Sequence, residues 1–270
     1  MLDLLPSWQN LPGYRLSDVA DAYFVLLLFM FIFGACFGSF ANAAAMRIVR
    51  DEDPAFQPSR CRHCNSLLKW HHNIPLFGWL LLRGKSACCH RPISPRYILV
   101  ELGFGLIMAS LFAYLPLMHA VILTIASLIM MIALLTDSEA MVLHPPSLLA
   151  GILLGWIAPF LTDSWFIELS DAVTGSLLCA GLIFTINKIY YFLRGHNGFG
   201  AGDVWLMGMI GALYGSIVGI ALFFTATFLG ALTGITLILA KKAEISSKLP
   251  FGLFLSVVFL LYPALNMLLN

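Results

Sequence analysis

The chain is poor in charge: only 11% of its 270 residues are Asp, Glu, Lys or Arg, and its mean hydropathy is +0.90. An ordinary soluble domain, with about a quarter of its residues charged, is thereby excluded. The alternation of apolar and polar residues that a membrane barrel requires is also missing. With no strands to follow, there is no glycine-rich loop of the dinucleotide-binding kind. A cleavable signal is not expected either. Residues 1–21 carry Asp3, Asp18 and Asp21 against Arg15 alone, the wrong charge for an n-region.

What the chain does have is apolar runs, at 22–46, 97–115, 118–136, 147–162, 171–192, 203–216, 218–239 and 250–268. Gly211, Gly215 and Gly219 blur the boundary between the sixth and the seventh. The expected fold is an all-α polytopic membrane protein of about eight transmembrane helices, with a cytoplasmic Cys-containing loop between the first two. Four parts follow: an external N-terminal segment (1–21), the first transmembrane helix (22–46), the loop (47–96) and a transmembrane core (97–270). Segment 2–16 is expected to lie along the membrane surface, anchored by Trp8 and Tyr14.

Orientation follows from the basic residues. Nine of fifteen lie between Arg47 and Arg96, two at Lys188 and Arg194, and three at Lys241, Lys242 and Lys248. Eight spans put these clusters on one side, 14 against 1. The positive-inside rule makes that side cytoplasmic and both termini external. The 163–171 connection, with Asp163, Glu168 and Asp171 and no basic residue, suits the outside.

Two acids then share a depth. Asp203 begins the sixth run behind Gly198, Gly200 and Gly202, and Asp137 ends the third. An acid at the edge of a bilayer is costly and usually functional. Glycines before it leave room for another backbone to approach. Two carboxylates that share a site cannot both ionise cheaply, so one retains a proton. One member can then activate water while the other polarises a peptide carbonyl and protonates the leaving amine, which is aspartyl proteolysis. The bland alternative is a helix cap for either acid. A second is a transporter or channel in which Asp137 and Asp203 carry protons or bind an ion. Among other acids, Glu139 is expected to be solvated and Glu101 to pair with Arg96 or another base.

Several motifs in one order resemble the type IV prepilin peptidases (leader peptidase/N-methyltransferases), which are GxGD-type membrane aspartyl proteases. They are Gly38-Ser39-Phe40-Ala41-Asn42 with Arg47, Cys61-Arg62-His63-Cys64, Asn73-Ile74-Pro75-Leu76, Trp79 to Lys85, Ile93 to Tyr97 with Glu101, the 198–203 run, and Leu249-Pro250-Phe251-Gly252. The resemblance covers roughly residues 34–252. It implies removal of the leader of prepilins or pseudopilins after a glycine, on the cytoplasmic side of a bacterial inner membrane. It also implies N-methylation of the new terminus with S-adenosylmethionine, and Asp137 and Asp203 as the catalytic pair. One departure stands out: after Asp137 the family commonly has a Pro-Asp pair, where this chain reads Leu143-His144-Pro145-Pro146.

The loop is too small for a large core, so a metal staple would help it fold. Cys61 and Cys64 have the spacing of two zinc ligands. The family's second CxxC falls on Ser86 and Cys89, so one cysteine is replaced. Cys89 with His90 completes the expected zinc set, Cys88 being the alternative fourth ligand. A cytoplasmic location disfavours a disulfide. The loop's basic residues are expected to meet anionic lipid headgroups rather than nucleic acid. Asp51-Glu52-Asp53 reads as a solvated turn or a contact for a basic leader. Cys36 and Cys179 are expected to be small packing residues in their spans.

Overall fold

A computed structural model describes residues 16–162, 165–242, 244 and 249–269. Their regular secondary structure is helical, and residues 50–95 form a loop of turns, one short α-helix and two isolated β-bridges. The helices are α1 (Leu16–Val49), α2 (Phe77–Leu81), α3 (Arg96–Tyr114), α4 (Leu117–Ala140), α5 (Pro145–Leu161), α6 (Leu169–Arg194), α7 (Ala201–Leu239) and α8 (Phe251–Leu269). By length and hydropathy five can cross a membrane (α1, α3, α4, α6 and α7), and α5 and α8 are shorter apolar helices. Local chemistry sets several ends. Pro116 precedes α4, Pro145 and Pro146 open α5, and Gly195 closes α6 in the left-handed conformation (φ 76°).

The 39-residue α7 is not one straight rod. In a continuous helix Gly211 and Gly219 would lie about 12 Å apart, and Phe199 and Phe223 about 36 Å apart. Instead, a Cβ on Gly219 would sit 3.7 Å from the Gly211 backbone, and the rings of Phe199 and Phe223 are 6.5 Å apart. The chain reverses at Gly215, whose φ 78° and ψ 177° belong to a region open to glycine alone. Residues 201–214 and 216–239 are therefore two antiparallel arms, and among the described residues the apolar helical segments number eight, as expected. The blurred boundary between the sixth and seventh runs is this turn.

The centre of the bundle is α4, the most buried of the long helices; it packs against α1, α3, α5 and α8. On its far side α7 packs against α5, α6 and α8. Helices in lipid associate through close packing and not through the hydrophobic effect, so small residues mark the contacts. A Cβ on Gly211 would overlap the Gly175 carbonyl of α6, and one on Gly219 would meet the Cys179 sulfur at 2.5 Å. Gly211→Ala should therefore destabilise the detergent-solubilised protein by about 1–3 kcal/mol, read as a lowered thermal unfolding midpoint; an unchanged midpoint would contradict this packing.

Short connections make successive segments antiparallel. The C-termini of α1, α4 and α6, the N-termini of α3, α5, α7 and α8, and the 50–95 loop thus gather at one end of the bundle. Cys179 is buried as expected, whereas Cys36 is exposed on the side of α1 and packs little. The surface segment with Trp8 and Tyr14, Asp163 and Lys248 lie outside the described residues.

Candidate active site and cysteine cluster

Asp203 occupies the third position of α7 and closes a capping box. Its Oδ2 accepts the Gly200 amide at 2.9 Å, while its own amide donates to the Gly200 carbonyl at 3.2 Å. The glycine run ahead of it is held by Asn187 of α6, whose Oδ1 accepts the amides of Gly198 (2.9 Å) and Phe199 (3.1 Å). Phe199 then packs edge-on against Phe251 at the start of α8, with ring centroids 5.0 Å apart. The loop before α7 and the N-terminus of α8 are thereby fixed side by side.

Asp137 is received by that N-terminus. Its Oδ2 accepts the Leu253 amide at 2.7 Å, and the Gly252 amide also bonds the carboxylate. A helix N-terminus, with its unpaired N–H groups and positive dipole end, suits a carboxylate. Asp137 and Asp203 are only 5% and 6% exposed, and they lie close enough for their charges to interact. Both carboxylates are held by main-chain amides, and among the described residues no basic side chain pairs with either.

The three glycines have different surroundings. Gly202 is tight because Leu143 fills the space beside it; a Cβ there would meet the Leu143 Cβ at 2.5 Å. Gly198 lies 3.1 Å, by the same measure, from the Tyr190 ring. Gly200 is exposed, and only Asp203 and the Gly202 amide lie within 4 Å of where a Cβ would stand, so it alone leaves an open approach to the carboxylate. The bare-backbone expectation thus fits Gly200, while Gly202 serves packing. Leu143, in the segment that departs from the family pattern, also packs 3.3 Å from a Cβ position on Gly252 and so lies beside both acids.

The rival acids have other partners. Glu101 does not pair with Arg96; it is buried and accepts the Leu76 amide at 2.7 Å, with a further hydrogen bond to Ser39. Arg96 forms its ion pair with Glu139, which is therefore not simply solvated. Leu76 sits at φ 63°, so Glu101 holds a left-handed residue of the loop against α1 and α3. Further ties fasten the loop to the helix ends. Arg47 donates to the carbonyls of Pro54 and Gln57, and Arg62 lies over the Tyr97 ring. Asp53 folds into a turn, accepting the amides of Phe56 and Ala55, and these bonds hold its carboxyl below the usual range.

Within the loop the Sγ atoms of Cys61, Cys64, Cys88 and Cys89 all lie within 4.8 Å of one another. His90 is exposed and outside this group; the alternative ligand, Cys88, stands in it instead. A tetrahedron of sulfurs around zinc has edges of about 3.8 Å, and Cys61 and Cys89 are 3.8 Å apart. The four-thiol donor set suits a zinc ion, and the sulfur separations, from 3.0 Å between Cys64 and Cys88 to no more than 4.8 Å, bracket that edge. Burial would raise the Cys61 thiol, but hydrogen bonds from Ser86 and from the Cys64 and His63 amides prevail and bring it down to about 5. Cys64 and Cys88, in contact at 3.0 Å, move apart: Cys88 is lowered and Cys64 raised by their mutual hydrogen bond.

The chain is similar to known proteins over most of its length. Residues 32–115 match the Bacterial Peptidase A24 N-terminal domain, and residues 124–235 match the Type IV leader peptidase family. A prepilin leader peptidase/N-methyltransferase of Myxococcus xanthus (strain DK1622) is 33% identical over 240 residues, covering 86% of this chain and 67% of that protein. The chain belongs to the type IV leader peptidase family. A second member with the same description, from Klebsiella pneumoniae, is 33% identical over 202 residues, or 69% of this chain and 84% of its own length. One from Stutzerimonas stutzeri is 32% identical over 203 residues, or 74% and 68%. No solved structure matches the chain. The family's second matched region holds both Asp137 and Asp203, and the first holds the whole cysteine cluster.

Some members of the site carry no sequence motif of their own. Asn187 is one polar residue near the end of an apolar helix, and its position there was its only signal. Leu249-Pro250-Phe251-Gly252 is visible as a motif, but nothing in it announces that the helix it starts receives Asp137.

Proposed function

We propose that Asp137 and Asp203 are the catalytic pair of a leader peptidase that cleaves prepilins or pseudopilins after a glycine. The observation that carries this reading is two buried carboxylates from α4 and α7, near each other and held by main-chain amides. Such a pair holds one proton between its members. The ionised member takes a proton from water as the water oxygen attacks the scissile carbonyl carbon, while the protonated member hydrogen-bonds the carbonyl oxygen. Collapse of the tetrahedral intermediate breaks the C–N bond, and the proton gained from water passes to the departing amine. Gly200 is the open side by which an extended peptide backbone reaches the pair.

The freed α-amine is then the acceptor for a methyl group, which S-adenosylmethionine supplies when bound; no side chain of this chain is assigned to that donor. Zinc, held by Cys61, Cys64 and Cys89 with a fourth donor, staples the 47–96 loop. That loop faces the cytoplasm of a bacterial inner membrane, with both termini outside, and its basic residues meet anionic headgroups. The 97–270 region forms the peptidase core.

The test is co-expression with a prepilin followed by mass analysis of its N-terminus. The expected product begins at the residue after the leader glycine and carries one added methyl group. An intact leader with wild-type protein overturns the peptidase reading, and a cleaved but unmethylated terminus removes the transferase alone.

A further inference from the structure

The four sulfurs are gathered by two turns of one design. In the first, the Cys61 amide donates to the Ser66 carbonyl and the Asn65 amide to the Cys61 carbonyl, both at 2.9 Å. In the second, the Ser86 amide donates to the Arg91 carbonyl at 2.8 Å and the His90 amide to the Ser86 carbonyl at 2.9 Å. Each turn is closed by a bridge, Arg60 to Leu67 and Lys85 to Pro92. Each contains one left-handed residue, Asn65 at φ 58° and His90 at φ 55°. All these pairs share an offset of 25 residues, as 85 − 60 and 90 − 65 show. Ser86 therefore stands where Cys61 does, Cys89 where Cys64 does, and Cys88 where His63 does.

In the first turn the two thiols come from the first and fourth positions. In the second turn the first position is Ser86, whose hydroxyl is buried and aimed into the cluster, 3.3 Å from the Cys61 sulfur and 3.0 Å from the Cys88 sulfur. Cys88, two residues on, brings its own sulfur to 3.0 Å from Cys64. His90 is the left-handed hinge of the turn and lies outside the cluster.

We propose that the second turn binds metal in a shifted register. Cys88 and its neighbour Cys89 are both ligands, completing a four-thiolate site with Cys61 and Cys64. Ser86 has left the coordination sphere and donates its hydroxyl hydrogen to a ligating sulfur. This rests on the reading of the loop as a zinc site and fixes which atoms make it. The shift explains how the chain dispenses with a cysteine at 86 without losing a sulfur donor. It also gives Ser86 work, because a hydrogen bond to a thiolate disperses charge that four sulfurs place around one divalent ion. Outer partners of this kind are worth roughly 10–100-fold in metal affinity.

The full-length chain, purified in detergent, is assayed for zinc per chain, for zinc retention against a chelator, and for the absorption spectrum after cobalt(II) replacement. Wild type should hold one zinc and give a tetrahedral cobalt spectrum with strong thiolate charge-transfer bands. Cys88→Ser should weaken those bands and speed zinc loss, and Cys88→His should keep the metal with a shifted spectrum. His90→Ala should match wild type. Ser86→Ala should keep the wild-type spectrum and bind metal roughly 10–100-fold more weakly. If His90→Ala loses the metal while Cys88→Ser keeps it, the shifted register is wrong and the zinc site survives with another ligand. Wild-type affinity in Ser86→Ala overturns the role given to that hydroxyl. Absence of bound zinc from wild type overturns both readings.

Discussion

Asp203→Asn and, separately, Asp137→Asn are each expected to cut leader removal by on the order of 10⁴-fold, the upper end of what general acid–base groups supply. Neither change should disturb the fold. Asparagine keeps an oxygen that can accept the Gly200 amide, the bond that closes the capping box. At position 137 an amide oxygen can still take the Leu253 amide. What asparagine lacks is a carboxylate to share a proton. The double variant should be no slower than either single one, because residues that act as a unit lose their contribution together. The measurement is the fraction of prepilin processed over time by equal amounts of membrane-inserted enzyme. Wild-type processing by either variant would remove the pair from the chemistry.

Gly252→Ala is expected to lower kcat by on the order of 10²-fold, the cost of displacing a reacting group by about 1 Å. An added Cβ would stand 3.0 Å from the Asp137 Oδ2, 3.1 Å from its Cγ and 3.3 Å from the Leu143 side chain. The carboxylate is tied to the Leu253 amide, so it cannot retreat without giving up a hydrogen bond. The loss should fall on kcat and spare KM, since Gly252 is argued to act through Asp137 and not on substrate. Gly103→Ala is the matched control: no atom lies within 4 Å of its Cβ position, and its activity should equal that of wild type. Wild-type kcat in Gly252→Ala, or a loss in KM alone, would show that this glycine does not position Asp137.

The parts of this protein that can be read from its sequence are those set by local composition. Apolar runs mark the spans, and the Gly211–Gly219 stretch announces a break that the structure resolves as a reversal at Gly215. Counting spans is enough to put Asp137 and Asp203 at the same end of the bundle, because span boundaries are set by local hydropathy. Partnerships made through the backbone at long range leave no such trace. Leu253 lies 116 residues from the Asp137 it bonds, and its side chain says nothing about its amide. Glu101 was expected to seek a cation, yet a main-chain N–H of a left-handed residue satisfies it. His90 was expected among the zinc ligands from its chemistry, but it has a positive φ in the second turn and lies outside the sulfur cluster. The candidate pair was thus legible, and the backbone frame that holds it was not.

The reversal at Gly215 has a consequence for the bilayer. The arm from 201 to 214 has fourteen residues, about 21 Å of helix, against a hydrocarbon layer of about 30 Å. The helix packed beside it, α5, has only 17 residues, about 26 Å. Two neighbouring segments on the side of Asp203 are therefore too short for the lipid around them. Such a mismatch is met by local thinning of the bilayer, by flanking side chains reaching to the interface or by oligomerisation, and thinning here would shorten the path of solvent to the carboxylates. A peptidase in a membrane needs water below the headgroups, and a bilayer that thins beside these two helices would bring it nearer to Asp203.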